Sequence, residues 1–166
     1  VEATIAALEG DGRVRYLMGL GSPLDLLDAV LRGVDLFDSV LPARVARTGQ
    51  AWVAGGRLNL HNARHLDEEQ PLDARCDCRT CARFSRAYLA HLFRADELLA
   101  YRLLTIHNLR HLASFMARIR TAIRSGAGDP PPRIRRRAGG GARAWGDASA
   151  VRRGGQSCRA HQEAGS

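Results

Sequence analysis

Three thiols within six residues, Cys76, Cys78 and Cys81 of the stretch CDCRTC, constrain this chain more than any other feature, because thiols this close must be bridged, buried or ligated together. The remaining cysteine, Cys158, stands far downstream. Disulfide stapling fits poorly. Three clustered thiols leave one unpaired, and neither a signal peptide nor an apolar run of membrane-spanning length precedes them. The expectation is a reducing, cytoplasmic setting without a membrane partner, where such clusters hold metal. Zn2+ takes four soft or borderline ligands in a tetrahedron, so three thiolates need one further donor. The downstream histidines are His91, His107, His111 and His161. His161 lies in the tail, and His91 sits in a helix-like run beginning about Ser85 that would have to fold straight back. His107 and His111, one turn apart on the next run, both have enough chain to return.

Composition bounds the rest. The 166 residues suffice for one domain with a real core, and 45% hydrophobic with 25% charged is ordinary for a globular chain. The charge is less ordinary: all 25 basic residues are arginine, and the formal net charge is +8. Dividing the chain after Ser125 leaves 17 arginines against 14 acids before the cut and 8 against 3 after it. Most of the excess therefore belongs to residues 126–166, which have three consecutive prolines, many glycines and no helical or strand period. This tail is predicted to be disordered, its arginines able to meet nucleic-acid phosphates through charge alone.

The N-terminal part is better patterned. VRYLM is a short apolar run, after which Ser22 can cap a helix with Pro23 at its first position and Asp25 three residues beyond the cap. Leu24, Leu27 and Leu31 recur at helical spacing, and Gly33 is placed to end the helix. VDLFDSVLP then reads as a hydrophobic strand buried on both faces, completing a βαβ unit. Asp35 lies near the start of that strand and Asp38 near its C-terminal end, where α/β sheets place their chemistry. Side chains alternate along a strand, so the two point to opposite faces and form no acid/base pair. Asp38 alone is a candidate nucleophile or base. ARVARTGQ is expected to be a loop whose Arg44 and Arg47 could grip phosphates beside Asp38, and Gly55 and Gly56 mark a hairpin. Residues 83–124 are helical in period, with an interruption expected at Ala100 to Thr105.

Taken in order, RYLMGLGSPLDLLDAVLRGVDLFDSVLPAR, NLHNARH, CDCRTC and SRAYLAHLFRADELLAYRLLTIHNL resemble the C-terminal half of a bacterial-type tRNA-guanine transglycosylase, across about Val14 to Arg124. The resemblance implies an α/β fold: the last βα units of a (β/α)8 barrel, with a zinc subdomain at about 50–111 and C-terminal helices. It implies a pentosyltransferase that exchanges guanine at the wobble position of tRNA anticodons for a 7-deazaguanine precursor of queuosine. In that family an aspartate matching Asp38 attacks ribose C1′ and holds the RNA covalently, and the zinc ligands fall on Cys76, Cys78, Cys81 and His107.

Met18 and Gly19 match residues at the bound base. Gly19, Leu20, Gly21, Ser22, Pro23, Leu24 and Asp25 match one RNA-contacting segment, and Ala43, Arg44, Val45, Ala46 and Arg47 match another. The chain departs from the pattern at Ala43, where the family has a threonine hydroxyl, at Thr48, where Asn is usual, and at Ser39, where Cys is frequent. The family's barrel needs roughly 250 residues, and its second catalytic aspartate comes from earlier strands. The resemblance thus implies a portion of an enzyme that is homodimeric when complete. The competing expectation is a noncatalytic zinc-containing module that binds RNA or a dimer partner.

Overall fold

Parallel pairing of two short strands organises the first part of the chain. The run after Val14 forms β1 (Tyr16–Met18), and β2 (Leu36–Asp38) pairs with it in parallel, with Tyr16 opposite Leu36, Leu17 opposite Phe37 and Met18 opposite Asp38. The computed structural model describes residues 2–8 and 12–126, so the expected tail, with Cys158 and His161, lies outside the described residues apart from Gly126. A short helix, α1 (Glu2–Ala7), precedes the sheet.

The crossover helix α2 (Pro23–Leu31) begins as its sequence dictates. The Ser22 hydroxyl accepts the Asp25 amide at 3.3 Å and donates to the Asp25 carboxylate at 2.6 Å, while Pro23 occupies the first turn. It ends in a Schellman motif: the Gly33 amide reaches the Val30 carbonyl at 2.9 Å and the Val34 amide reaches Ala29 at 3.0 Å. Gly33 has φ 93, a left-handed conformation that a Cβ would strain. The buried face differs from the expected one. Leu26, Ala29 and Val30 are buried, whereas Leu24 is 52% exposed. Leucine fills more than one face of this helix, so spacing alone does not say which face is covered.

β2 is not buried on both faces: Leu36 is 55% exposed, and Phe37 points to the opposite, half-buried side. The residues after Val40 are not a loop but the helix α3 (Leu41–Arg47), in which Pro42 supplies a first-turn φ and Ala46 faces the core. The hairpin lies where Gly55 signalled it, with β3 (Gln50–Val53) antiparallel to β4 (Gly56–Asn59), although Gly56 pairs with Val53 and the turn falls on Ala54 and Gly55.

A 3-10 turn (Ala63–Asp67), α4 (Arg79–Arg83), α5 (Arg86–Arg94) and the long α6 (Leu98–Ser125) complete the order. The helical run breaks at Ala95–Glu97, not at Ala100 to Thr105: Asp96 has φ 54 and its carboxylate accepts the Tyr101 hydroxyl at 2.8 Å. Downstream of that break α6 lacks Pro and Gly through Ser125, and Ala100, Leu103, Leu104, His107 and Asn108 form one buried face at i, i+3, i+4, i+7 and i+8. That face meets Leu60, Leu72, Leu89 and Phe93 in a single core with Cys78 and Cys81. Each fully buried leucine contributes about 1.5–3 kcal/mol. No helix among the described residues is long and apolar enough to cross a membrane.

The chain divides into the units Val1–Ile119 and Arg120–Ser166; the described part of the second is the end of α6 with Gly126. Within the first, Arg86 ties the segment before the thiol cluster to α5. Its guanidinium donates to the Pro71 carbonyl, to the Leu72 carbonyl and to the Glu68 carboxylate, each at 3.0 Å. Glu68 also holds Nδ1 of the buried His65 at 2.8 Å. These hydrogen bonds, from His65 first and Arg86 second, keep the Glu68 carboxyl below the usual range. Arg86→Ala removes three hydrogen bonds, two of them to backbone carbonyls, and is expected to cost about 1–3 kcal/mol, read as a lower urea midpoint at unchanged slope. Arg86→Lys recovers little of the loss, since one ammonium cannot reproduce the planar fork.

Candidate functional site

The thiol cluster gains its fourth donor from α6. Sγ of Cys76, Cys78 and Cys81 and one nitrogen of His107 all lie within 4.8 Å of one another. The His107 Nδ1 stands 3.6 Å from the Cys78 sulfur and 3.3 Å from the Cys81 sulfur. Ligands about 2.3 Å (sulfur) and 2.0 Å (nitrogen) from one ion sit roughly 3.5–3.8 Å apart in a tetrahedron, so the donor set fits a single cation.

The tautomer fits as well. His107 Nε2 contacts the Trp52 carbonyl at 2.8 Å, an acceptor that requires the proton on Nε2 and leaves the Nδ1 lone pair facing the sulfurs. Burial lowers the His107 pKa, keeping the ring neutral. Burial also raises the thiols of Cys76 and Cys81, with the charge of the Cys78 sulfur adding to the effect at both. Desolvated thiols of this kind need a cation to hold them as thiolates.

Local folding places these groups. Cys78 caps α4, its sulfur accepting the Cys81 amide at 3.3 Å, which turns both side chains inward. The Asp73 carboxylate accepts the amides of Arg75 at 2.9 Å and Ala54 at 2.8 Å, pinning the hairpin turn to the entry of the cluster. Arg110 grips Asp77 with two guanidinium nitrogens, at 2.6 and 2.5 Å, and the buried Thr80 hydroxyl donates to the Leu103 carbonyl at 2.7 Å. Both contacts tie the cluster to α6. His111 lies beside His107 with ring centroids 6.4 Å apart and stays outside the ligand set, and His91 is exposed.

A second constellation surrounds Asp38. Register puts Tyr16, Met18, Leu36 and Asp38 on one face of the parallel pair, and the first three are 55%, 69% and 55% exposed. The Tyr16 hydroxyl donates to Asp38 Oδ1 at 2.7 Å, an interaction that raises the Tyr16 pKa. Asp35, at the other end of the strand, accepts the Arg15 amide at 2.9 Å. Two segments converge on Asp38. The Gly19 amide donates to the Asp38 carbonyl at 2.9 Å, and a Cβ added at Gly21 would run into the Ser39 side chain.

Of the candidate contact residues, Gly19, Leu24 and Asp25 are exposed, Leu20, Ser22 and Pro23 half-buried, and Gly21 buried. On α3, Arg44 and Arg47 are exposed in the last turn, where cations favour the helix dipole; Ala43 and Val45 are half-buried, while Ala46 is fully buried and turns no side chain outward. Sequence reasoning missed Tyr16 and Asn108. The signal for Tyr16 was available, since it precedes Met18 by two and shares its face; nothing local marks Asn108.

A family model described as queuine tRNA-ribosyltransferase matches residues 1–129. Among curated relatives, a queuine tRNA-ribosyltransferase of Herpetosiphon aurantiacus is 59% identical over 109 residues, covering 66% of this chain and 28% of the relative. One from Cereibacter sphaeroides is 53% identical over 116 residues, covering 70% and 31%, and one from Thermoanaerobacter pseudethanolicus is 52% identical over 124 residues, covering 75% and 33%. The chain thus spans roughly three tenths of the length of these relatives. With the match running through both the thiol–histidine cluster and the strand bearing Asp38, the chain belongs to the queuine tRNA-ribosyltransferase family.

Proposed function

We propose that this chain is the nucleophile- and zinc-bearing portion of a tRNA-guanine transglycosylase built on a (β/α)8 barrel. The observation that supports this most directly is Asp38 at the C-terminal end of β2, on an exposed face beside Met18 and held by Tyr16 through one oxygen. The other oxygen is left to attack C1′ of the wobble nucleotide. The carboxylate–C1′ bond forms as the C1′–N9 bond to guanine breaks, with the electron pair leaving on the base. N9 of a 7-deazaguanine then displaces the carboxylate from C1′, releasing its own proton. Two displacements by way of a covalent ester replace one difficult step. Met18 supplies an apolar surface for the heterocycle, and the Gly19–Asp25 segment and α3 border the RNA.

Cys76, Cys78, Cys81 and His107 would hold Zn2+, and with four protein donors its role would be structural, joining the thiol cluster to α6. The setting is cytoplasmic, and the complete enzyme is a homodimer. The competing reading, a noncatalytic RNA-binding or dimer-partner module, accounts for the cluster but gives no role to a carboxylate at a strand end.

Arg44 and Arg47 test the RNA side. If they meet phosphates, Arg44→Ala with Arg47→Ala weakens binding of a tRNA anticodon stem-loop and makes the plot of log K against log salt shallower by about 1–2 units. An unchanged slope assigns binding to residues 126–166, and removal of those residues is the control.

A further inference from the structure

We propose that Asn108 is a positioning residue that locks α3, and with it the backbone following Asp38, to the turn of α6 that carries the metal ligand His107. Asn108 is fully buried, and its amide is engaged on both sides. Oδ1 accepts the Trp52 amide at 3.0 Å, while Nδ2 donates to the Pro42 carbonyl at 3.2 Å and to the Gln50 carbonyl at 2.9 Å. These three bonds span 56 to 66 residues of sequence and join three elements, α6, β3 and the first turn of α3.

Packing alone would be served by leucine at this position; a buried amide is tolerable only with its partners in place. The neighbouring residue makes the arrangement more specific. His107 Nε2 donates to the Trp52 carbonyl while Asn108 Oδ1 takes the Trp52 amide, so consecutive residues of α6 hold both polar groups of one residue of β3. Anything that fixes the His107 ring therefore fixes Trp52, and Asn108 carries that constraint onward to Pro42, four residues beyond Asp38. The consequence for RNA binding rests on the function proposed above; the mechanical link does not.

The test uses the zinc-loaded 166-residue chain carrying Asn108→Asp, which keeps the shape and removes both donors, and Asn108→Ala. Zinc content stays at that of the unaltered chain, because all four ligands remain. Amide exchange at Arg44 to Arg47 accelerates about tenfold to a hundredfold, while amides of α5 stay within about twofold of their original rates. Unchanged exchange in α3, or equal acceleration in α3 and α5, overturns the proposal. Should neither variant fold, the unaltered chain supplies the reading. The Asn108 Nδ2 protons must exchange in step with the α3 amides, and Nδ2 protons exchanging at the solvent rate while α3 stays protected overturn it. Anticodon stem-loop affinity falls in both variants; if the unaltered chain binds no stem-loop, the RNA reading fails and the exchange result stands by itself.

Discussion

Purified from zinc-containing medium, the chain is expected to carry about one zinc, and Cys78→Ser or His107→Ala to lose it together with much of the helical signal. The size of the effect follows from where the ligands sit. Cys78 and Cys81 belong to the same core as Leu60, Leu72, Leu89 and Leu104, and His107 shares its turn with Asn108. Structural zinc in small domains is worth about 10–16 kcal/mol of folding free energy near neutral pH. That is as large as the whole net stability of a typical domain, about 5–15 kcal/mol, so chelation is expected to melt the subdomain. The dependence on pH has a definite sign. The thiols of Cys76 and Cys81 are held above their ordinary pKa, chiefly by burial, so protons compete strongly for the sulfurs and zinc is released as pH falls. Elemental analysis with circular dichroism after chelation measures it. A folded, metal-free chain would show that the cluster is an ordinary piece of core.

The second large effect is on base exchange. The 166-residue chain alone is expected to incorporate no labelled guanine into tRNA, because the two parallel strands among the described residues cannot enclose a base and an isolated pair is at best marginally stable. Tyr16, Met18 and Leu36, exposed on the face bearing Asp38, favour association with further strands. In a protein where upstream strands complete the sheet into a barrel, exchange is expected, and Asp38→Asn should reduce it by about 10^4-fold or more. Robust exchange by the chain alone refutes the need for those strands. Exchange surviving Asp38→Asn in the completed protein refutes the nucleophile.

What was legible in the residues follows the range of the interactions that determine it. The Ser22 cap, the Gly33 stop and the thiol triplet are decided within a few residues, and each stands where local chemistry puts it. The seven residues of α3 carry two arginines and a proline and read locally as a loop, because their helicity depends on Ala46 reaching a core built largely from later residues. The break before α6 is hard to place locally for a related reason. Asp96 in a left-handed conformation marks it, whereas the bulky run from Ala100 to Thr105 is the start of a buried face. Spacing narrowed the fourth ligand to two histidines one turn apart, and it took the resemblance, and then the fold, to separate them. Asn108 was invisible because its partners lie more than fifty residues away.

The uneven spacing of the candidate metal ligands also predicts an order of assembly. Three thiols from Cys76 to Cys81 meet through turns that any short segment can sample, whereas His107 is 26 residues beyond Cys81. Closing that interval carries an entropic cost of about 3 kcal/mol beyond a length-independent constant. The expected order is that the thiol segment captures an ion first and the arrival of α6 completes the shell. On this route the metal is a nucleus around which the second half of the chain condenses.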